Sequence, residues 1–137
     1  MAVIQELIRK ENDGTLSFGN YKLDAKSKLS DFEHEGDLYK VKTYRKITKL
    51  EKNGMFIYES VPGTAVFHLD QKENEVCFQV TGEDTAQITL ELEAEKEYEI
   101  YKNDSFLGKM RTNLGGKLIF SLELGEDECD FIKVVKL

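Results

Sequence analysis

Tryptophan is missing from the 137 residues, proline occurs once, and cysteine and histidine occur twice each. The cysteines have no C-x-x-C spacing: Cys77 lies in an apolar alternating run and Cys129 in an acidic loop, which excludes a disulfide framework and a zinc knuckle. With only His34 and His68 as imidazole bases, neither in a recognisable motif, a serine nucleophile has little to draw on. Ser60 in Tyr58-Glu59-Ser60-Val61-Pro62-Gly63 also lacks the G-x-S-x-G elbow. The absent tryptophan removes the side chain on which sugar-binding sandwiches most often stack a pyranose ring. Tyrosines, Tyr44 and Tyr58 among them, are left as the aromatic binding candidates, against the plainer reading of rings at the edge of the core with their hydroxyls in water.

Long apolar runs are missing too. No stretch approaches the roughly 18 consecutive apolar residues of a membrane helix, and Met1 to Lys10 lacks the cationic start and unbroken apolar segment of a signal peptide. No membrane partner is expected, and the expected location is the cytoplasm, with export by another route left open. Positive charge is in short supply: 19 Lys and Arg against 26 Asp and Glu leave a net charge of -7. A nucleic-acid backbone would meet a repulsive field, so no nucleic-acid partner is expected. Gly115-Gly116 and Pro62-Gly63 open no helix that could receive a phosphate, and no cofactor is expected.

What the chain does have is period-2 alternation punctuated by turn dipeptides, the pattern of an all-β antiparallel β-sandwich with at most one short helix, near the amino terminus. Asn53-Gly54 marks a tight hairpin. Leu38 to Leu50 reads as one bent strand or two consecutive ones. Val61-Pro62-Gly63-Thr64 predicts a type II turn, after which Val66 and His68 share one strand face and Ala65, Phe67 and Leu69 the other. The polar Thr81 to Thr85 divides an N-terminal β lobe, residues 1–82, from a five-stranded sandwich lobe, residues 83–137, with packing as one domain left open. The predicted core of the second lobe is Ile88, Leu90, Leu92, Tyr98, Ile100, Leu118, Phe120, Leu122, Ile132 and Val134.

Carboxylates alternate at Glu91, Glu93, Glu95, Glu97 and Glu99 and at Asp31, Glu33, Glu35 and Asp37. Each set falls largely on one face, which reads as the solvated side of a strand rather than a glycosidase pair. Glu126, Asp127, Glu128 and Asp130 crowd one loop and are candidate oxygen ligands for a hard cation, though not at EF-hand spacing. Among basic residues, Arg45 and Arg111 are candidate anion contacts, and Lys40, Lys42, Arg45, Lys46 and Lys49 form a local patch. With a Debye length of about 8 Å, such a patch can hold an anion despite the total charge.

Tyr39 to Tyr44, Ile47 to Phe56, Tyr58 to Val66 and Gly108 to Leu118 together resemble a family of small bacterial proteins commonly named endosialidase or endosialidase catalytic β chain. That resemblance implies hydrolysis of sialylated glycans. From Ala86 onward, the strand-and-turn pattern with Thr112-Asn113-Leu114-Gly115-Gly116-Lys117-Leu118 is similar to the accessory β-sandwich modules of polysaccharide-active enzymes. A six-bladed sialidase propeller needs roughly 40 to 50 residues per blade, more than this chain holds. The leading expectation is a non-catalytic module that binds a protein or glycan partner or assembles with copies of itself. An endosialidase-like hydrolase acting on acidic glycans is the alternative.

Overall fold

The computed structural model describes residues 3–125 and 128–137. The first eight strands are β1 (Ile8–Lys10), β2 (Leu16–Phe18), β3 (Ser27–His34), β4 (Asp37–Tyr44), β5 (Ile47–Lys52), β6 (Met55–Val61), β7 (Ala65–Gln71) and β8 (Glu75–Thr81). Then follow β9 (Ala86–Glu91), β10 (Glu97–Lys102), β11 (Ser105–Arg111), β12 (Lys117–Leu122) and β13 (Asp130–Lys136). Every pairing is antiparallel. One sheet has the order β1-β2-β7-β8-β13-β10-β11 and the other β12-β9-β6-β5-β4-β3. The two sheets enclose one core, so the all-β antiparallel sandwich expected from the alternation is the fold. Among the described residues there is no helix, and none long and apolar enough to cross a membrane.

Tight turns set the register of the hairpins. Asn53 and Gly54, at φ 52 and 80, join Lys52 to its partner Met55, the left-handed pair that a two-residue turn of matching twist needs. The β4–β5 connection resolves the ambiguous stretch into two strands, with Tyr44 opposite Ile47. Its turn residues, Arg45 and Lys46, are not at positive φ, which is why no glycine or asparagine marks it. The two segments divided at residue 82 do not separate. β9 bonds to β6 in one sheet and β13 to β8 in the other, so both segments contribute to both sheets. The five C-terminal strands form at the expected places, but β9 and β12 belong to the six-stranded sheet and β10, β11 and β13 to the seven-stranded one. All ten predicted core residues face inward, with Leu92 partly buried against the rest.

Three local expectations are corrected. The Val61–Pro62 peptide is cis and Gly63 is not at positive φ, so the turn is not type II. A bulge in β7 between Phe67 and Asp70 puts His68 at φ 55. Alternation fails there: Val66 and Leu69 are both buried, and His68 does not share the face of Val66. The glutamates from Glu91 to Glu99 do not line one face, because the chain passes from β9 to β10, in different sheets, through a turn with Glu95 at φ 54.

At the centre of the core, Tyr58 of the six-stranded sheet is wedged between Phe18 and Phe78 of the other. The ring centroids are 5.3 and 5.8 Å away, both edge to face. Its hydroxyl leaves this apolar site to meet Thr64 Oγ1 at 2.8 Å, and Ser60 Oγ lies 2.8 Å from the same atom. Thr48 Oγ1 donates to the Thr64 carbonyl and receives the Thr64 N–H. Thr43 Oγ1 is 2.8 Å from Thr48 Oγ1 and accepts the backbone N–H of Asn20. The network holds the 61–64 crossover, where Gly63 lies so close to the Tyr44 carbonyl that a Cβ would collide with it. Burial pushes the Tyr58 phenol well above its ordinary pKa, so it stays neutral. Removing that hydroxyl with Tyr58→Phe is expected to cost about 1–2 kcal/mol, since Thr64 keeps Ser60 as a partner. Phe120→Ala is expected to cost about 3–5 kcal/mol from lost burial and the cavity left behind. Urea unfolding of the two variants checks both the values and their order.

Candidate functional site

The outer face of the six-stranded sheet carries a line of like charges. Strand pairing sets Lys28 opposite Lys42 and Lys42 opposite Lys49, so three ammonium groups follow one another across β3, β4 and β5. Directly opposed like charges destabilise a sheet. Lys49 is offset by Glu51 at 3.4 Å. Among the described residues, no carboxylate lies within ion-pair distance of Lys28, Lys40 or Lys42. Partial desolvation, with Lys26, Lys49 and Lys28 nearby, lowers the pKa of Lys42 against the opposing charge of Glu59. Lys28, Lys40, Lys42, Lys49 and Glu51 line a groove of about 160 Å³. Lys40 and Glu51 also border a second, wider hollow of about 460 Å³ beside Asp31 and Asn53. Two aromatic rings flank the row. The Lys26 ammonium lies 6.0 Å from the Tyr44 centroid at one side, and Lys117 lies 4.7 Å from that of Phe56 on the other.

Lys40, Lys42 and Lys49 of the patch read from sequence therefore meet on one face, and Lys28 joins them from a strand with little apolar alternation to announce it. Arg45 and Lys46 stand at the β4–β5 turn, next to Tyr44. Arg111 ends β11 in the other sheet, and Arg9 is bound to Glu11 on β1, so the arginines lie on separate elements. Tyr58 is fully buried and out of reach of a ligand. In the acidic loop, Glu126 and Asp127 lie outside the described residues. Glu128 is bonded through its N–H to the Gly125 carbonyl, and Asp130 is buried, accepting from Asn103 at 3.0 Å with Lys102 at 3.6 Å. Among the described residues, no group of three or more His, Cys, Asp or Glu is placed to hold a metal.

Both histidines converge on the Glu11–Thr15 turn, a juxtaposition that nothing in their sequence contexts marks. His34 Nε2 lies 2.9 Å from the Gly14 carbonyl, which can only accept, so that nitrogen carries the proton. His68 Nδ1 is 3.1 Å from Asp13 Oδ2 and 3.1 Å from Thr15 Oγ1. Both contacts fall on one ring nitrogen, whereas a relay needs the carboxylate on one nitrogen and the nucleophilic hydroxyl on the other. The cluster ties β1 and β2 to β7 and does not activate Thr15. Burial first, and then Glu75 or Asp130, raises the thiols of Cys77 and Cys129 above their ordinary pKa, the opposite of an activated nucleophile. No family model, no curated protein and no solved structure matches this chain.

Within the turn, the Ser17 hydroxyl holds the Glu11 carboxyl below its ordinary pKa, and the Thr15 hydroxyl and N–H do the same for Asp13. Both carboxyls are thus more acidic folded than unfolded. Their stabilisation is complete above the ordinary carboxylate range, near about pH 4, and is lost as pH falls through the folded values. Thermal melts between neutral pH and about pH 2 should show a falling Tm whose acid limb is shallower in Asp13→Asn and Glu11→Gln. Unchanged limbs would show that the turn contributes nothing to acid sensitivity.

Proposed function

We propose that the protein is a non-catalytic β-sandwich binding module whose lysine-lined outer face holds an acidic glycan segment. The observation that carries this reading is the row Lys28–Lys42–Lys49, in which only Lys49 has an ion pair among the described residues and which is built at a cost to the sheet. A protein of net charge -7 has ample carboxylates with which to neutralise such a row, yet none among the described residues forms an ion pair with Lys28 or Lys42, and Glu59, at the end of the row opposite Lys49, offsets Lys42 only at a distance. An anion bound from outside supplies what the sheet withholds. Strands are spaced about 4.8 Å apart, so the ammonium groups suit closely repeated single charges. Tyr44, beside Lys26, offers the face of an aromatic ring to a sugar while the ammonium row meets its carboxylate. The shallow groove suits a lengthwise chain and has no enclosing walls to exclude water from a reaction.

Polysialic acid and polygalacturonate are the probes, with neutral dextran as the control, in titration calorimetry at low and raised salt. At least one polyanion is expected to bind, more weakly as salt rises, while dextran does not bind. Lys42→Glu combined with Lys49→Glu should weaken binding at least about tenfold, or about 1.4 kcal/mol. Lys42→Gln alone should reduce binding while raising unfolding stability by a few tenths of a kcal/mol, because it removes two repulsive cross-strand pairs. Absence of binding, or binding indifferent to these changes, would overturn the proposal. Turnover of polysialic acid that is lost in Arg45→Ala or Arg111→Ala would replace it with the hydrolase reading.

A further inference from the structure

We propose that β12 is the dimerisation edge of this protein, pairing antiparallel with β12 of a second copy about a two-fold axis at Ile119. An open sandwich of two sheets has four edge strands, here β1, β11, β3 and β12. Exposed edges are normally guarded by brevity, bulges or charge. β1 is three residues long. β3 is broken between Leu29 and Phe32, with Asp31 at φ 58. The pairing of β10 with β11 shifts after Ile100, and β11 carries Lys109 and Arg111. β12 has none of these guards. Its six residues pair with β9 in unbroken register from Lys117 to Leu122, and its only charge, Lys117, is neutralised by Glu91 at 2.7 Å.

The strand is also complementary to itself. Antiparallel pairing centred on Ile119 sets Ile119 against Ile119 and Lys117 against Ser121 on the outer face, and Leu118 against Phe120 on the core face. Every residue keeps its side of the sheet and no like charges oppose. Ile119 is 49% exposed in the single chain, and on the axis it gains an apolar partner. A strand pair alone is smaller than a stable interface, which buries roughly 1,200–2,000 Å². Residues 112–116 carry the chain into β12, and in this connection Leu114 is 83% exposed and adds apolar surface next to the strand.

Sedimentation velocity over a dilution series tests the proposal. The wild type should dimerise, and Ile119→Lys, which sets two ammonium groups on the axis, should raise the dimer dissociation constant at least about tenfold. Leu38→Lys, at an exposed position of β4 toward the other end of the same sheet, should leave it unchanged. Ile119→Cys in a Cys129→Ser background should give a disulfide-linked dimer on oxidation, a result specific to this register. Monomer at every concentration overturns the proposal, including the case in which the edge serves a strand of another protein. So does a dimer that Ile119→Lys leaves intact, or one that the cysteine at 119 fails to cross-link.

Discussion

The interaction on which the sandwich depends is the double engagement of Tyr58. Its ring is gripped by Phe18 and Phe78 across the core, and its hydroxyl is fixed by Thr64, where the chain leaves one sheet for the other. An apolar ring alone would hold the sheets together in more than one alignment. The hydroxyls of Thr43, Thr48, Ser60 and Thr64 find partners only when β4, β5, β6 and the crossover are aligned as they are. A fully satisfied buried network of this kind selects one register, because any slip leaves polar groups unpaired in a medium of low dielectric.

That constraint reaches the outer face. Thr43 and Thr48 are register partners across β4 and β5, and the adjoining pair is Lys42 with Lys49. Because side chains alternate, the hydroxyl bond inside the sheet dictates which lysines stand opposite each other outside it. Repulsion between the ammonium groups cannot relax by sliding one strand past the other without breaking the network. The lysine row is thus a fixed array of charge, preorganised by the core, and an anion that binds it need not spend energy on ordering the strands.

Period-2 alternation and turn dipeptides were enough to locate the C-terminal strands and their buried phase, as Ile88, Leu90, Leu118 and Phe120 show. They could not say which sheet each strand joins, since alternation separates inside from outside but both sheets share one inside. The β4–β5 turn was obscure because Arg45 and Lys46 adopt no conformation that demands a special residue. The bulge at His68 was hidden because nothing in Val66 to Leu69 signals a left-handed histidine. Lys40, Lys42 and Lys49 were visible as a local patch because they lie on one hairpin. Lys28 was not, because its place in the row is set by pairing between strands and β3 is largely exposed on both faces.

The lysine face and the unguarded edge are related through the geometry of the six-stranded sheet. β12 is at one end of that sheet and the lysine strands β3, β4 and β5 are at the other, so covering the edge leaves the row open. Antiparallel pairing with a residue opposite itself has its two-fold axis perpendicular to the sheet, and the outer faces of both copies then lie on the same side. From β5 of one copy to β5 of the other there are seven inter-strand steps, about 34 Å at roughly 4.8 Å each before twist. A short anionic ligand meets one row, whereas a polymer longer than that span can engage both. The second contact is then intramolecular, with an effective concentration set by the polymer and not by the bulk solution. On the proposed reading, a module with one shallow, solvent-screened row gains from such pairing more than a deep-pocketed one would, because weak single-site binding is what a paired array amplifies.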